Sequence, residues 1–205
     1  MQYSSFKERL SVVKNTNEVF YDNAIIDTPC LTLRKFCKED ATAVLEYGSD
    51  DLTIKHLIWD GNKTLEEALT NITEYYWTSQ GIYAIELKSE NKCIGCIHLR
   101  LKPNHEKASF GYVLNRAYWG KGYMTEALDA ILILAFEKLK LNRVEASHFV
   151  GNEGSGKVML KCGMLYEGTG IQQEKVKGVF VDNVHYGITK ERWESLQKNK
   201  AESLK

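Results

Sequence analysis

The chain has 205 residues with 27 basic and 27 acidic side chains, so its formal net charge is zero. That balance argues against nucleic acid as a bulk electrostatic partner, because such proteins carry a basic excess. A hydrophobic fraction of 43% with 26% charged residues suits one globular domain with a core of useful size, and no run of about 18 apolar residues is present to cross a membrane.

In chain order, residues 1–27 are mixed and polar, with one amphipathic patch, FKERLSVV, read as an N-terminal helix or extension. We set 1–29 apart from a domain over 30–195 and a charged tail over 196–205. The pattern predicts a first strand over 31–36 and a helix over 39–47 that turns Ala41, Val44 and Leu45 inward. An irregular stretch over 49–62 follows, anchored by Leu57, Ile58 and Trp59. Thr64-Leu65-Glu66-Glu67 has capping-box form and opens a helix packed through Leu65, Ala68, Leu69, Ile72 and Tyr76. Strands are predicted over 82–88, 93–101 and 108–114. A helix over 123–139, a strand over 143–150 and a short helix over 155–162 come next, the last ended by Gly163. Two strands over 164–174 and 179–189 lead into a final helix from Lys190. An antiparallel meander followed by one right-handed strand–helix–strand unit gives an α+β domain with a mixed, mostly antiparallel sheet.

Five cysteines are present, and Cys93-Ile94-Gly95-Cys96 has C-x-x-C spacing. A redox or zinc site needs a helix N-terminus or a second ligand pair. This pair lies inside the strand-like run CIGCIHL without one, so ordinary buried thiols and no metal site are expected. The odd count and the lack of a signal-peptide pattern favour a reducing cytoplasm.

The richest segment is FGYVLNRAYWGKGYMTEALD over 110–129. A strand feeds a loop with two glycines, and a helical stripe begins at Tyr123. First-turn N–H groups lack intrahelical partners and the helix dipole favours negative charge there, so this is an anion site in waiting. It is not a Walker loop. A dinucleotide fingerprint would take Gly120 and Gly122 as its first pair but finds Thr125 where a third glycine belongs. A plain strand-to-helix turn fits the loop equally well on its own.

Several pieces in order resemble the GNAT acetyltransferase superfamily, and most closely its ribosomal-protein N-terminal acetyltransferase-like branch. They are LTLRKFCKEDATAVLEY, GYVLNRAYWGKGYMTEAL, NRVEASHFVGNEGSGKVMLKCGMLYEG and VHYGITKERW, spanning roughly 30–195. Three departures stand out. Ala117 holds the family's usual Gln/Arg place, with Arg116 one residue earlier. Gly154 and Gly156 flank Ser155, which predicts a late helix start. Met164 replaces a common Phe.

The resemblance implies a GNAT-like fold with a splayed parallel strand pair at the cofactor site, and transfer of acetyl from acetyl-CoA to an amine. It implies backbone contacts to the pyrophosphate from Trp119, Gly120, Lys121, Gly122, Tyr123 and Met124, strand-like pairing of pantetheine with Val113 and Leu114, and a cofactor contact from Asn152. Ser155 matches the branch's general acid beside the sulfur. As local chemistry, Asn152 and Ser155 equally suit a helix N-cap and first turn. Glu174 matches the branch's catalytic glutamate; a strand-end glutamate paired with Lys175 or Lys177 is the plain alternative. His98 is the competing base, with Tyr166, Tyr123 and His185 behind it. The helices within 38–80 and the loops at 49–62 and 170–182 would form the acceptor side, lined by Tyr47, Trp59, Tyr75, Tyr76 and Trp77. The acceptor amine is a protein N-terminus or a small molecule. Asp50, Asp51 and Asp60 lie where a polyamine would want carboxylates. A non-catalytic CoA-binding module and a homodimer stay open.

Overall fold

Short local signals start the fold. The computed structural model describes residues 16–203, so the FKERLSVV patch lies outside the described residues. Helical backbone over residues 16–22 (α1) leads to β1 (Ile26–Asp27), which pairs antiparallel with β2 (Leu31–Arg34). The sheet therefore begins within the stretch read as an extension. A tight turn, Lys38–Asp40, precedes α2 (Ala41–Gly48). The Asp50 carboxylate caps α3 (Asp51–Ile54), accepting from the Thr53 N–H at 3.0 Å. This one-turn helix lies in the stretch read as irregular.

Thr64 caps α4 (Leu65–Thr70), its hydroxyl accepting from the Glu67 N–H at 3.1 Å. The capping box is displaced: the Glu67 carboxylate accepts from the Lys63 N–H at 2.6 Å. Leu65, predicted to pack inward, is 52% exposed, because Ala68 and Ile72 carry the buried stripe. The helix then widens over Asn71–Tyr76.

β3 (Ile82–Leu87), β4 (Lys92–Lys102) and β5 (Lys107–Leu114) form an antiparallel meander. α5 (Tyr123–Ile133) runs into a wide turn over Leu134–Lys138 and delivers β6 (Arg143–Phe149) parallel to β5. After α6 (Glu153–Lys161), β7 (Leu165–Val176) and β8 (Val179–Thr189) form a hairpin, and α7 (Lys190–Ser203) closes the described chain. α7 runs through most of the segment read as a tail. The strand order is β1-β2-β3-β4-β5-β6-β8-β7.

Alternation divides the core in two. Tyr83, Ile85, Ile97, Leu99, Phe110 and Leu114 face α5 through Ala127, Leu128 and Ile131. Ile82, Ala84, Cys93 and Cys96 face α2 and α4 through Val44, Tyr47, Ala68 and Ile72. Cys93 and Cys96 are buried free thiols, and burial raises Cys93 to about 12, so neither is a ready thiolate.

Candidate active site

The glycine loop is built by its own neighbours. Asn115 starts a tight turn, its side-chain oxygen accepting from the Ala117 N–H at 3.0 Å. The Trp119 N–H is spent on the Arg116 carbonyl at 3.1 Å. Gly120 and Gly122 then take left-handed backbone at φ +75° and +90°, and Gly122 is the N-cap residue of α5. A side chain is disfavoured there by the backbone, not by crowding, since a Cβ at either position meets none of the described residues within 4 Å. Among the described residues no side chain caps α5, so the Tyr123 and Met124 N–H groups, unpaired within the helix by position, are left for an outside acceptor. Lys121 is exposed with its ammonium 5.2 Å from the centre of the Tyr118 ring. Arg116 turns away from the loop to pair with Asp50 at 3.0 Å.

Beside this loop the parallel strands part. β5 and β6 pair at Lys107–Arg143, Ala108–Val144 and Ser109–Glu145, and their register ends there. β6 continues on its other side against β8 as far as Phe149–Asn183. The exposed edge of β5 follows from strand parity. The Asn115 N–H donates to the Ile94 carbonyl at 2.8 Å, and Val113 pairs with Cys96. Alternate residues aim their backbone groups to opposite sides. Val113 therefore faces β4, whereas Tyr112 and Leu114, past the last paired position, present N–H and C=O toward the gap. The Leu114 carbonyl is already capped by the Trp119 indole N–H at 2.7 Å.

α6 covers one face of the gap. Asn152 is its N-cap residue, with Oδ1 accepting from the Ser155 N–H at 3.4 Å. The helix starts at Glu153, earlier than Gly154 and Gly156 predicted. Gly156 explains itself by close approach: a Cβ there would come within 2.7 Å of His148 Nε2 and 2.9 Å of the Tyr186 hydroxyl. The Ser155 hydroxyl lies 2.9 Å from the Tyr112 hydroxyl, which also donates to the Ser155 carbonyl at 3.1 Å. Tyr112 and His148 escaped the sequence reading, because their partners lie far along the chain. The alternation that puts Phe110 on the α5 side was the available signal for Tyr112.

The other face carries His98. Its Nδ1 lies 3.3 Å from the Tyr75 hydroxyl. Burial and then the Arg100 charge lower its pKa to about 4. His98 pairs with Gly111 and Tyr112 with Ile97, so His98 and Ser155 approach the gap from opposite faces of the sheet. Glu174 shares the His98 face. It pairs with Val181, which lies on the side of Asn183 and His185. Glu174 is exposed just past a bulge in β7 where Gln172 has φ +48°. Neither lysine of the plain alternative pairs with it: Lys177 is 3.9 Å from Asp60, and the Lys175 ammonium is 5.7 Å from the centre of the Phe180 ring. His185 Nε2 is 2.6 Å from Gln173 Oε1. Tyr166 is exposed and its hydroxyl lies 3.0 Å from Thr169 Oγ1.

The 49–62 stretch and the β7–β8 hairpin meet where Lys177 Nζ donates to the Ile54 carbonyl at 3.2 Å. Of the lining aromatics, Tyr47 is buried core, whereas Tyr75 and Trp77 are about half-exposed.

Residues 31–165 match the acetyltransferase (GNAT) domain. The chain belongs to the GNAT acetyltransferase family, and its class of activity is N-acetyl transfer. It is 32% identical over 168 residues to the uncharacterized N-acetyltransferase YnaD of Bacillus subtilis, covering 82% of this chain and 98% of that relative. A ribosomal-protein-serine acetyltransferase of Escherichia coli is 30% identical over 94 residues, 45% of this chain and 52% of that one. The crystal structure of a GNAT-family acetyltransferase from Bacillus anthracis superposes with a TM-score of 0.75 at 30% identity, covering 82% of this chain and 99% of that one.

Proposed function

We propose that this protein transfers acetyl from acetyl-CoA to a primary amine, and that the acceptor is the N-terminal amine of a protein. The observation that carries the donor half is the loss of β5–β6 pairing beyond Ser109–Glu145 beside an uncapped α5 N-terminus. An extended chain with amide groups fits the Tyr112 and Leu114 edge as an added strand would. A diphosphate fits the open, positive helix start. Acetyl-CoA supplies acetyl as a thioester and leaves as a thiolate.

The chain's own groups then divide the work. N–H groups from Gly120 to Met124 hold the diphosphate, with Lys121 adding charge. The edge of β5 aligns the thioester. Asn152 shapes the turn that presents Ser155, whose hydroxyl donates a hydrogen bond to the departing sulfur as charge develops there. Glu174 takes the proton from the attacking amine, directly or through water. His98 on the same face is the weaker base, since a pKa of about 4 gives little driving force for deprotonating an ammonium.

The protein-acceptor half rests on the ribosomal-protein relative. The polyamine alternative is weakened at two of its three carboxylates, because Asp50 is paired with Arg116 and Asp60 lies 3.9 Å from Lys177, whereas Asp51 is exposed. The test is thiol release from acetyl-CoA over a panel of ribosomal-protein N-terminal peptides, polyamines and aminoglycosides. Turnover confined to peptides supports the reading. Turnover confined to small amines overturns the acceptor, and no turnover with tight acetyl-CoA binding overturns the enzyme.

A further inference from the structure

To act on the sulfur, the Ser155 hydroxyl has to be aimed at it. A serine in a first helical turn has a freely rotating hydroxyl that can point to solvent, to a backbone carbonyl or into the gap. Here one neighbour limits that choice. Tyr112 projects from β5, across the unpaired part of the gap, and its hydroxyl meets both oxygens of Ser155, Oγ at 2.9 Å and the carbonyl at 3.1 Å. The ring is stacked on Phe110 with centroids 5.9 Å apart, so the hydroxyl cannot wander.

We propose that Tyr112 is a positioning residue that sets the direction of the Ser155 proton during acetyl transfer; the proposal rests on the role assigned above to Ser155. The phenol carries one proton and has two acceptors within reach. When that proton points to the Ser155 carbonyl, the Ser155 O–H is free to donate back to the phenol oxygen and is held out of the gap. When it points to Ser155 Oγ, the serine proton has to go elsewhere, and the developing thiolate becomes its acceptor. No covalent bond forms or breaks at Tyr112, and no proton leaves it. Burial raises the phenol's pKa well above its ordinary value, so the tyrosine stays neutral and acts by orientation, not as the acid.

The same contact joins β5 to α6 on either side of the gap, at the height where β5 and β6 no longer pair. A structural role is therefore the competing account, and the test separates the two. Tyr112→Phe, Ser155→Ala and the double variant are compared by single-turnover acetylation of the best acceptor, acetyl-CoA dissociation constant and melting temperature.

The expected result is a loss of roughly tenfold in single-turnover rate for Tyr112→Phe, the scale of one hydrogen bond. The acetyl-CoA dissociation constant should stay within about twofold. In the Ser155→Ala background the further Tyr112→Phe change should be nearly silent, because the group it positions is gone. If Tyr112→Phe is destabilised, its rate is read at a temperature below the onset of its melting curve, so that only native protein is compared. Multiplying losses in the double variant, with Ser155→Ala itself slow, would overturn the positioning role and leave Ser155 in the reaction. Full activity in Ser155→Ala would remove Ser155 and, with it, this role for Tyr112.

Discussion

The Trp119 indole N–H donates to the carbonyl of Leu114 at 2.7 Å. A side chain at the start of the glycine loop thus satisfies the last backbone acceptor of β5 on its unpaired side. The bond fixes the direction in which the chain leaves the sheet and sets the loop against the gap. Trp119→Phe keeps the apolar surface and removes the donor. We expect acetyl-CoA to bind roughly fivefold to tenfold more weakly, the worth of about one hydrogen bond. Titration calorimetry checks it, and an unchanged affinity would reduce Trp119 to a surface contact.

The glycine loop makes a prediction about stability as well as binding. Gly120→Val and Gly122→Val place a branched side chain on left-handed backbone, although the space around each is open. The cost is therefore conformational and belongs to the protein alone, about 1–2 kcal/mol. Urea unfolding without any ligand should register it. Full stability with lost acetyl-CoA binding would mean that the side chain blocks the anion instead.

Glu174 and His98 separate by turnover and by pH. Glu174→Gln should lower turnover by roughly 10²–10⁴-fold with little change in acetyl-CoA affinity, the range for a lost general base. His98→Gln should cost far less. The folded His98 titrates near 4 against an ordinary 6.5, so the unfolded chain binds its proton first. Stability carried by the neutral ring is full above about pH 6.5 and is lost as pH falls toward 4. Urea melts at pH 7 and pH 5 should converge in His98→Gln relative to the parent. Identical pH dependence in both proteins would contradict the buried-imidazole reading.

Much of this was legible in the sequence, and the misses have physical causes. The loop, the parallel unit and Gly163 at φ +85° after α6 are fixed by local chemistry, which a short window of sequence contains. β1 spans two residues and α3 four, too few for any periodicity. Leu65 fitted the apolar stripe but lies on the first turn, which projects past the core. The side of the gap that each candidate serves was invisible. It depends on strand register, and Tyr112 and Ser155 are 43 residues apart.

Asp40 is a structural prediction away from the site. Its carboxylate accepts from Arg34 at 2.7 and 2.9 Å and from the Cys37 N–H at 2.8 Å, and Arg34 also holds Glu86 at 2.6 Å. Burial works to raise the Asp40 pKa, but the Arg34 and Cys37 bonds outweigh it and leave it below the ordinary value. Its stabilisation is present above pH 3.8, the ordinary carboxyl value, and is lost as pH drops below it. Asp40→Ala strands the guanidinium and should cost about 3 kcal/mol, read by chemical denaturation at neutral pH. A loss below about 1 kcal/mol would mean that Glu86 alone satisfies Arg34.

Asn183 predicts a gain. It is 1% exposed, and among the described residues neither side-chain atom has a hydrogen-bond partner. Unmet buried polar groups cost about 1–3 kcal/mol, and an apolar replacement of similar shape recovers part of that. Asn183→Leu should therefore raise the melting temperature. A lower one would show that the amide is satisfied in solution.

The parting of β5 from β6 has a consequence for how the chain could be cut. On one side of the gap lie β1 to β5, all from residues before 115; on the other lie β6, β8 and β7, all from residues after 142. The strands never interleave, so the sheet is two consecutive halves of the polypeptide joined by α5, three paired backbone positions and side-chain links such as Tyr112–Ser155 and Lys107–Glu145. A nick between the Leu134–Lys138 turn and β6 would yield fragments that each keep a whole leaf of the sheet. Their reassembly would depend on what bridges the leaves, and a donor lying between them would act as the missing rungs, turning acetyl-CoA into a ligand that glues the two pieces together.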